Sequence, residues 1–269
     1  MLTTIALALL TSVPAQPAEL KLSNVRMTIG ELGPPREGNK LLPGDVLFIA
    51  YDIDGITIDG EGHAVYTMAM EVADGAGKLI FKQDPRELTD FVPLRGNKMP
   101  ARAYITIGLD QPPGLYNCKI AVSDPKTKAA GSLNVKFEVL KKEFGVVAVF
   151  TSYDSDGKLS APTSGQVGQT IFVQFSVASF DRDKEKQPNV KVEFQVFDDK
   201  GLPTLTAPRK HIQDGKSLPA VKPEDGAFAL QFPLFMNRPG KFVVEIFATD
   251  EVSKKTSRYR LPITVTAAN

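Results

Sequence analysis

The chain has 269 residues, with 32 Lys and Arg against 31 Asp and Glu, one Cys, two His and no Trp. So even a balance lacks the electrostatic footprint of a nucleic-acid binder or a polybasic membrane module. One thiol and two imidazoles cannot build a zinc finger, an iron–sulfur cluster or an intrachain disulfide, and 42% hydrophobic residues argue for a folded core over disorder.

Residues 1–15 read MLTTIALALLTSVPA. Ile5 to Leu10 is unbroken apolar sequence, and Val13 and Ala15 place small residues at the −3 and −1 positions of a cleavage site before Gln16. That is the form of a secretory signal, although no Lys or Arg precedes the apolar run. The run is far shorter than the roughly 20 residues that cross a bilayer, and no later segment approaches that length uncharged. The expectation is an exported chain (periplasmic, cell-surface or extracellular) with no transmembrane segment.

The remainder is one unit written twice. Gly44-Asp45-Val46-Leu47-Phe48-Ile49-Ala50-Tyr51 aligns with Gly168-Gln169-Thr170-Ile171-Phe172-Val173-Gln174-Phe175 at an offset of 124. The same offset aligns Tyr66, Met68, Met70 and Val72 with Val190, Val192, Phe194 and Val196, and then Asp74 with Asp198 and Gly77 with Gly201. Further on, an offset of 125 pairs Ala103, Ile105, Ile107 and Leu109 with Phe228, Leu230, Phe232 and Leu234. At 126, Pro113-Gly114-Leu115-Tyr116 meets Pro239-Gly240-Lys241-Phe242, and Asp124 meets Asp250. Two single-residue loop insertions account for this drift.

Apolar and polar residues alternate with period 2 in each block, as in a sheet with one buried face. Gly, Pro, Asn and Asp punctuate the runs, and no stretch has helical period. In the first copy the pattern predicts strands near 18–28, 45–54, 64–73, 78–82, 101–109, 115–123 and 131–140. In the second it predicts them near 144–153, 169–179, 188–198, 203–206, 226–235, 241–249 and 256–266. The fold class is therefore all-β: two tandem immunoglobulin-like β-sandwich domains of about seven strands each, spanning 16–140 and 141–269. The joining segment Leu140-Lys141-Lys142-Glu143-Phe144 has no Gly, Ser or Pro and is not a flexible tether.

The block from Pro113-Gly114-Leu115-Tyr116 through Asp124 to Phe137, repeated from Pro239 through Asp250 to Ile263, resembles bacterial immunoglobulin-like repeats of exported proteins. The resemblance implies spacer, adhesion or partner-binding roles. It also places Tyr116 at the tyrosine-corner position, two residues before Cys118, whereas Phe242 in the second copy has no hydroxyl to make that bond. The absence of Trp and of a second Cys excludes the antibody form.

No residues form a catalytic constellation. His63 and His211 lie in different copies in polar surroundings, and Cys118 shares the buried parity of Tyr116, Ile120 and Val122. Acidic loops offer the one metal hypothesis: Asp54, Asp59 and Glu61 in the first copy, with Asp183 and Glu185 in the second, supply oxygen ligands of the kind calcium favours. The EF-hand spacing is missing, and Arg182, Lys184 and Lys186 interleave with the acids. Phe91 and Phe180 fall off the core pattern and are expected on the surface. The longest irregular stretches, 83–100 and 207–225, are the expected places for binding. These readings lead to a non-enzymatic structural or protein-interaction module of the envelope or periplasm, without cofactor, whose partner is an unknown envelope protein. The alternative is an extracellular carbohydrate- or calcium-binding module.

Overall fold

A computed structural model describes residues 19–217 and 220–268. The expected export signal, 1–15, lies outside the described residues. Those residues form sixteen strands and no helix. The first copy contributes β1 (Lys21–Thr28), β2 (Lys40–Leu41), β3 (Val46–Asp54), β4 (His63–Asp74), β5 (Leu79–Phe91), β6 (Lys98–Thr106), β7 (Gly114–Ser123) and β8 (Ala130–Val139). The second contributes β9 (Gly145–Ser152), β10 (Ser164–Gln166), β11 (Thr170–Ala178), β12 (Val190–Phe197), β13 (Arg209–Gln213), β14 (Ala227–Phe235), β15 (Gly240–Asp250) and β16 (Thr256–Thr266).

Each copy is an immunoglobulin-like sandwich of a three-stranded and a five-stranded sheet. The orders are β1-β3-β6 and β2-β8-β7-β4-β5, then β9-β11-β14 and β10-β16-β15-β12-β13. The opening segment of each copy is divided between both sheets: β1 and β9 pair antiparallel, whereas the short β2 and β10 pair parallel with β8 and β16. Fourteen strands were expected, and β2 and β10 are the additional two, too short to carry an alternating pattern.

Two further expectations are corrected. Residues 83–91 are not irregular: β5 runs on to Phe91 as an edge strand, exposed along most of its length, whose Pro85, Lys82, Asp84 and Arg86 mask its period. In the second copy the strand placed at 203–206 is found at Arg209–Gln213. The sixth-strand alignment also shifts. Gly44 N–H donates to the Ile107 carbonyl and Gly168 N–H to the Met236 carbonyl, so Ile107 matches Met236 at an offset of 129. Ala103 therefore matches Phe232, not Phe228. The second copy holds five extra residues before this strand and three fewer after it, in place of two single insertions. A slip of four preserves which residues face inward, so alternation alone could not detect it.

Leu47, Ile49, Tyr51, Ile53, Ile120 and Phe137 anchor the first core, and Ile171, Val173, Phe175, Val192, Ile246 and Leu261 the second. Each such side chain contributes about 1.5–3 kcal/mol by leaving water. Two buried carboxylates then fasten loops to these cores. Asp124 accepts hydrogen bonds from the backbone N–H groups of Thr57, Lys126 and Thr127; Asp250 accepts from those of Asp181, Val252 and Ser253 and from the Ser253 hydroxyl. In both copies the seventh strand's closing Asp thus ties its own turn to the loop after the third strand. Burial pushes both carboxyls up, but the hydrogen bonds outweigh it and hold each below the usual carboxylate range.

Turn geometry repeats as well. Gly55 (φ 85°) corresponds to Ser179 (φ 58°), in the left-handed region that Gly adopts without steric cost. The Ser179 hydroxyl is buried with no hydrogen-bond partner.

Asp124→Asn and Asp250→Asn are each expected to cost about 1–3 kcal/mol in urea unfolding at neutral pH. A carboxyl lowered by folding stabilises above its unfolded pKa of about 3.9, and that contribution fades as pH drops through the folded value. The gap between mutant and wild type should accordingly narrow in acid. Ser179→Gly should raise stability by about 1 kcal/mol. Relief of left-handed strain and loss of the unpaired hydroxyl exceed the roughly 0.5–1 kcal/mol of added chain entropy, and a lowered melting temperature would refute that balance.

Candidate functional site

The acids singled out from the sequence close turns. Asp59 Oδ1 accepts from the N–H groups of Glu61 and His63 at 2.9 and 2.8 Å. Its repeat equivalent, Asp183, accepts from those of Glu185 and Gln187, both at 2.9 Å. Asp54 accepts from the Ser23 hydroxyl and pairs with Lys98 at 3.2 Å. The bonds to Asp59 and Asp54, led by His63 and Ser23 respectively, hold both carboxyls below their usual range. Glu61 lies 3.9 Å from the His63 ring, and Glu185 is exposed. Among the described residues no three His, Cys, Asp or Glu side chains are grouped to hold a metal ion.

The other candidates are dispersed. The His63 ring lies tilted against Phe91 at 5.5 Å, and His211 lies on β13, 3.2 Å from Gln213. Phe91 is exposed as expected, but Phe180 is not: it packs into the second core beneath the Arg182 guanidinium, 5.2 Å from the ring centre. Cys118 is fully buried, and burial pushes its thiol up to about 12. The Tyr116 hydroxyl donates to the Pro112 carbonyl at 2.7 Å, forming the tyrosine corner. Phe242, in the matching place, lies under Arg238 at 5.1 Å instead.

The two copies meet at a built joint. β1 and β9 each bulge, with the extra residue left-handed: Asn24 at φ 52° and Ala148 at φ 51°. A bulge frees one residue from the ladder. In β9 the freed N–H of Ala148 donates to Oδ1 of Asp45, 2.9 Å away in the first copy. Asp45 is buried, also accepts from Val46 N–H, and pairs with Arg36. Tyr259 faces this cluster, its phenol pushed up to about 12 by burial, pulled down by Arg36 and pushed up by Asp45. Ile29 of the first copy packs into the second core, and the Ser160 hydroxyl donates to Glu31. Gly30, at φ 70°, lies so near Phe150 that a Cβ would stand 2.8 Å from that residue's own Cβ.

Each sandwich also has a cleft between its sheets, in repeat-equivalent positions. The first, about 580 Å³, is bounded by Met70, Val72, Ala103, Ile107 and Phe137. The second, about 620 Å³, is bounded by the matching Phe194, Val196, Phe232, Met236 and Ile263. Two arginines border each one, Arg86 and Arg102 in the first and Arg209 and Arg238 in the second, and neither lining contains an acid. Sequence reasoning assigned binding to long loops and missed both clefts. The available signal was the off-parity exposed aromatic of each sixth strand, Tyr104 and Phe235.

Comparison with known proteins finds no matching family model and no matching curated protein. Among solved structures, the BspA C-terminal domain of a Streptococcus agalactiae AgI/II polypeptide is 9% identical, covering 91% of this chain and 100% of that one, with a TM-score of 0.30. The fibronectin(III)-like modules of Clostridium thermocellum CbhA are 15% identical, covering 91% and 95%, with a TM-score of 0.24. A DNA-bound Pseudomonas fluorescens alkylpurine DNA glycosylase is 12% identical over 46% of this chain, with a TM-score of 0.30; the match spans only 31% of that protein. Likenesses this low carry no functional argument. No helix among the described residues is long and apolar enough to cross a membrane.

The buried, raised thiol makes a direct prediction. Cys118 should resist Ellman's reagent in the native state at mildly alkaline pH and react stoichiometrically once guanidinium unfolds the chain. Rapid native labelling would contradict its placement.

Proposed function

We propose that this chain is an exported, non-enzymatic structural and protein-interaction module of the cell envelope or periplasm. In this reading residues 1–15 are removed, and 16–140 and 141–269 act as two domains held at a set angle. The observation that carries it is the Asp45–Ala148 joint: a buried carboxylate of one sandwich bonded to a backbone N–H of the other, reinforced by Ile29 in the second core. A flexible pair of binding modules has no need of such a connection, whereas a spacer or a two-site adaptor does. The exposed Leu79-Ile80-Phe81 run on β5, with Leu115 exposed at the start of β7, supplies apolar surface for a protein partner. The dispersal of His63, His211 and Cys118 supports a role without turnover.

Two measurements test this. Protein recovered from the envelope fraction should begin at Gln16, and an intact Met1 in the cytoplasm would end the export reading. Asp45→Ala should leave both sandwiches folded yet broaden the interdomain distance distribution in solution scattering. It should also cost about 1–3 kcal/mol in the unfolding of the joined chain. Unchanged scattering would remove the joint as the basis of the reading. A photo-crosslinker at Ile80 is expected to give one discrete adduct in cells.

A further inference from the structure

We propose that the cleft of the second sandwich binds a long-chain carboxylate, its apolar chain between the sheets and its anionic head on Arg209 and Arg238. The space opens at the edge of the sandwich, where Leu205, Phe235, Arg209 and Arg238 on its rim are exposed. Phe194, Phe232, Met236 and Ile263 are nearly inaccessible to solvent and form its apolar floor, at the margin of the inter-sheet core. Its volume, about 620 Å³, falls in the range of small-molecule sites, which are apolar with a few placed polar groups.

The charge pattern selects the ligand. Among the described residues neither Arg209 nor Arg238 has an acid partner, and no acid borders the cleft. Arg238 rests on the Phe242 ring at 5.1 Å, at the cleft wall. An apolar slot with two uncompensated guanidinium groups suits an anion carrying an apolar tail, because Arg forms bidentate bonds with carboxylate.

Strand addition is disfavoured. Met236 N–H and C=O bond toward β11, so alternation turns Pro233 to the free edge of β14, where it offers no donor to an added strand. The first cleft is a natural control. There Arg102 pairs with Glu31 at 3.8 Å, and Tyr116 and Gln111 bond one another at the wall, so its charge is partly answered and its lining more polar.

The test is fluorescence titration of the full chain with dansyl-undecanoate, with displacement by palmitate, hexadecanol or hexadecyltrimethylammonium. Palmitate should displace the probe most strongly. The Arg209→Gln/Arg238→Gln pair should weaken palmitate about tenfold, the loss expected for charge-assisted bonds, with hexadecanol unaffected. Both arginines are exposed, so the pair should melt like wild type, and Arg209→Lys/Arg238→Lys should recover only part of the lost affinity, since the charge returns without the bidentate fork. Arg86→Gln, in the first cleft, should leave palmitate unchanged. Failure of the probe to bind, equal displacement by all three head groups, or equal loss on Arg86→Gln would overturn the proposal.

Discussion

In each sandwich a three-stranded sheet faces a five-stranded one, and the narrower sheet cannot cover the wider. Where the two overlap, inward residues such as Ile49 and Ile120, or Val173 and Ile246, belong to one buried core. Past the sixth-strand edge the wider sheet continues into β5, or β13, which stays largely exposed while the inward side chains of the fourth strand are buried. The paired clefts are the geometric consequence. Their floor is core by composition, and their mouth is defined by whichever side chains the sixth-strand edge presents. In the first copy those are Tyr104 and Arg102; in the second they are Phe235 and, just past the end of the strand, Arg238.

Duplication supplied two equal units, and one local irregularity made them a single object. The same bulge occurs at Asn24 and Ala148, but the two are used differently. The Asn24 side chain bonds Asp52 within its own sandwich, whereas the backbone of Ala148 reaches Asp45 in the other. Holding Ala in the left-handed region costs on the order of 1 kcal/mol. A buried, charge-assisted hydrogen bond offsets that cost, and the bulge thereby becomes a docking point. Asp45 has no acidic counterpart, since its repeat equivalent is Gln169.

The acidic loops show how one residue type serves two purposes. Asp59 and Asp183 lie at equivalent turns and accept equivalent backbone N–H groups, as expected of Asp in turns generally. Their equivalence is that of a duplicated turn, in which each carboxylate accepts the N–H groups two and four residues on. Asp124 and Asp250 use the same bonding in a buried setting and tie one loop to another.

Local chemistry was legible in the sequence. The duplication, the all-β class, most strand positions, the buried Cys118 and the tyrosine corner at Tyr116 all follow from alternation, turn residues and their spacing, which act over a few residues. Strand β5 was legible only in part, since Pro85 and its charges obscure a pattern that pairing with β4 enforces. The sixth-strand register was not legible, because a period of 2 is indifferent to a slip of four; hydrogen bonds from Gly44 and Gly168 decide it. The burial of Phe180, the Asp45–Ala148 joint and the charge-bearing clefts were likewise decided only in three dimensions. Each depends on segments tens to about a hundred residues apart, brought together by the packing of whole sheets, and no local periodicity encodes which distant partner a side chain will meet.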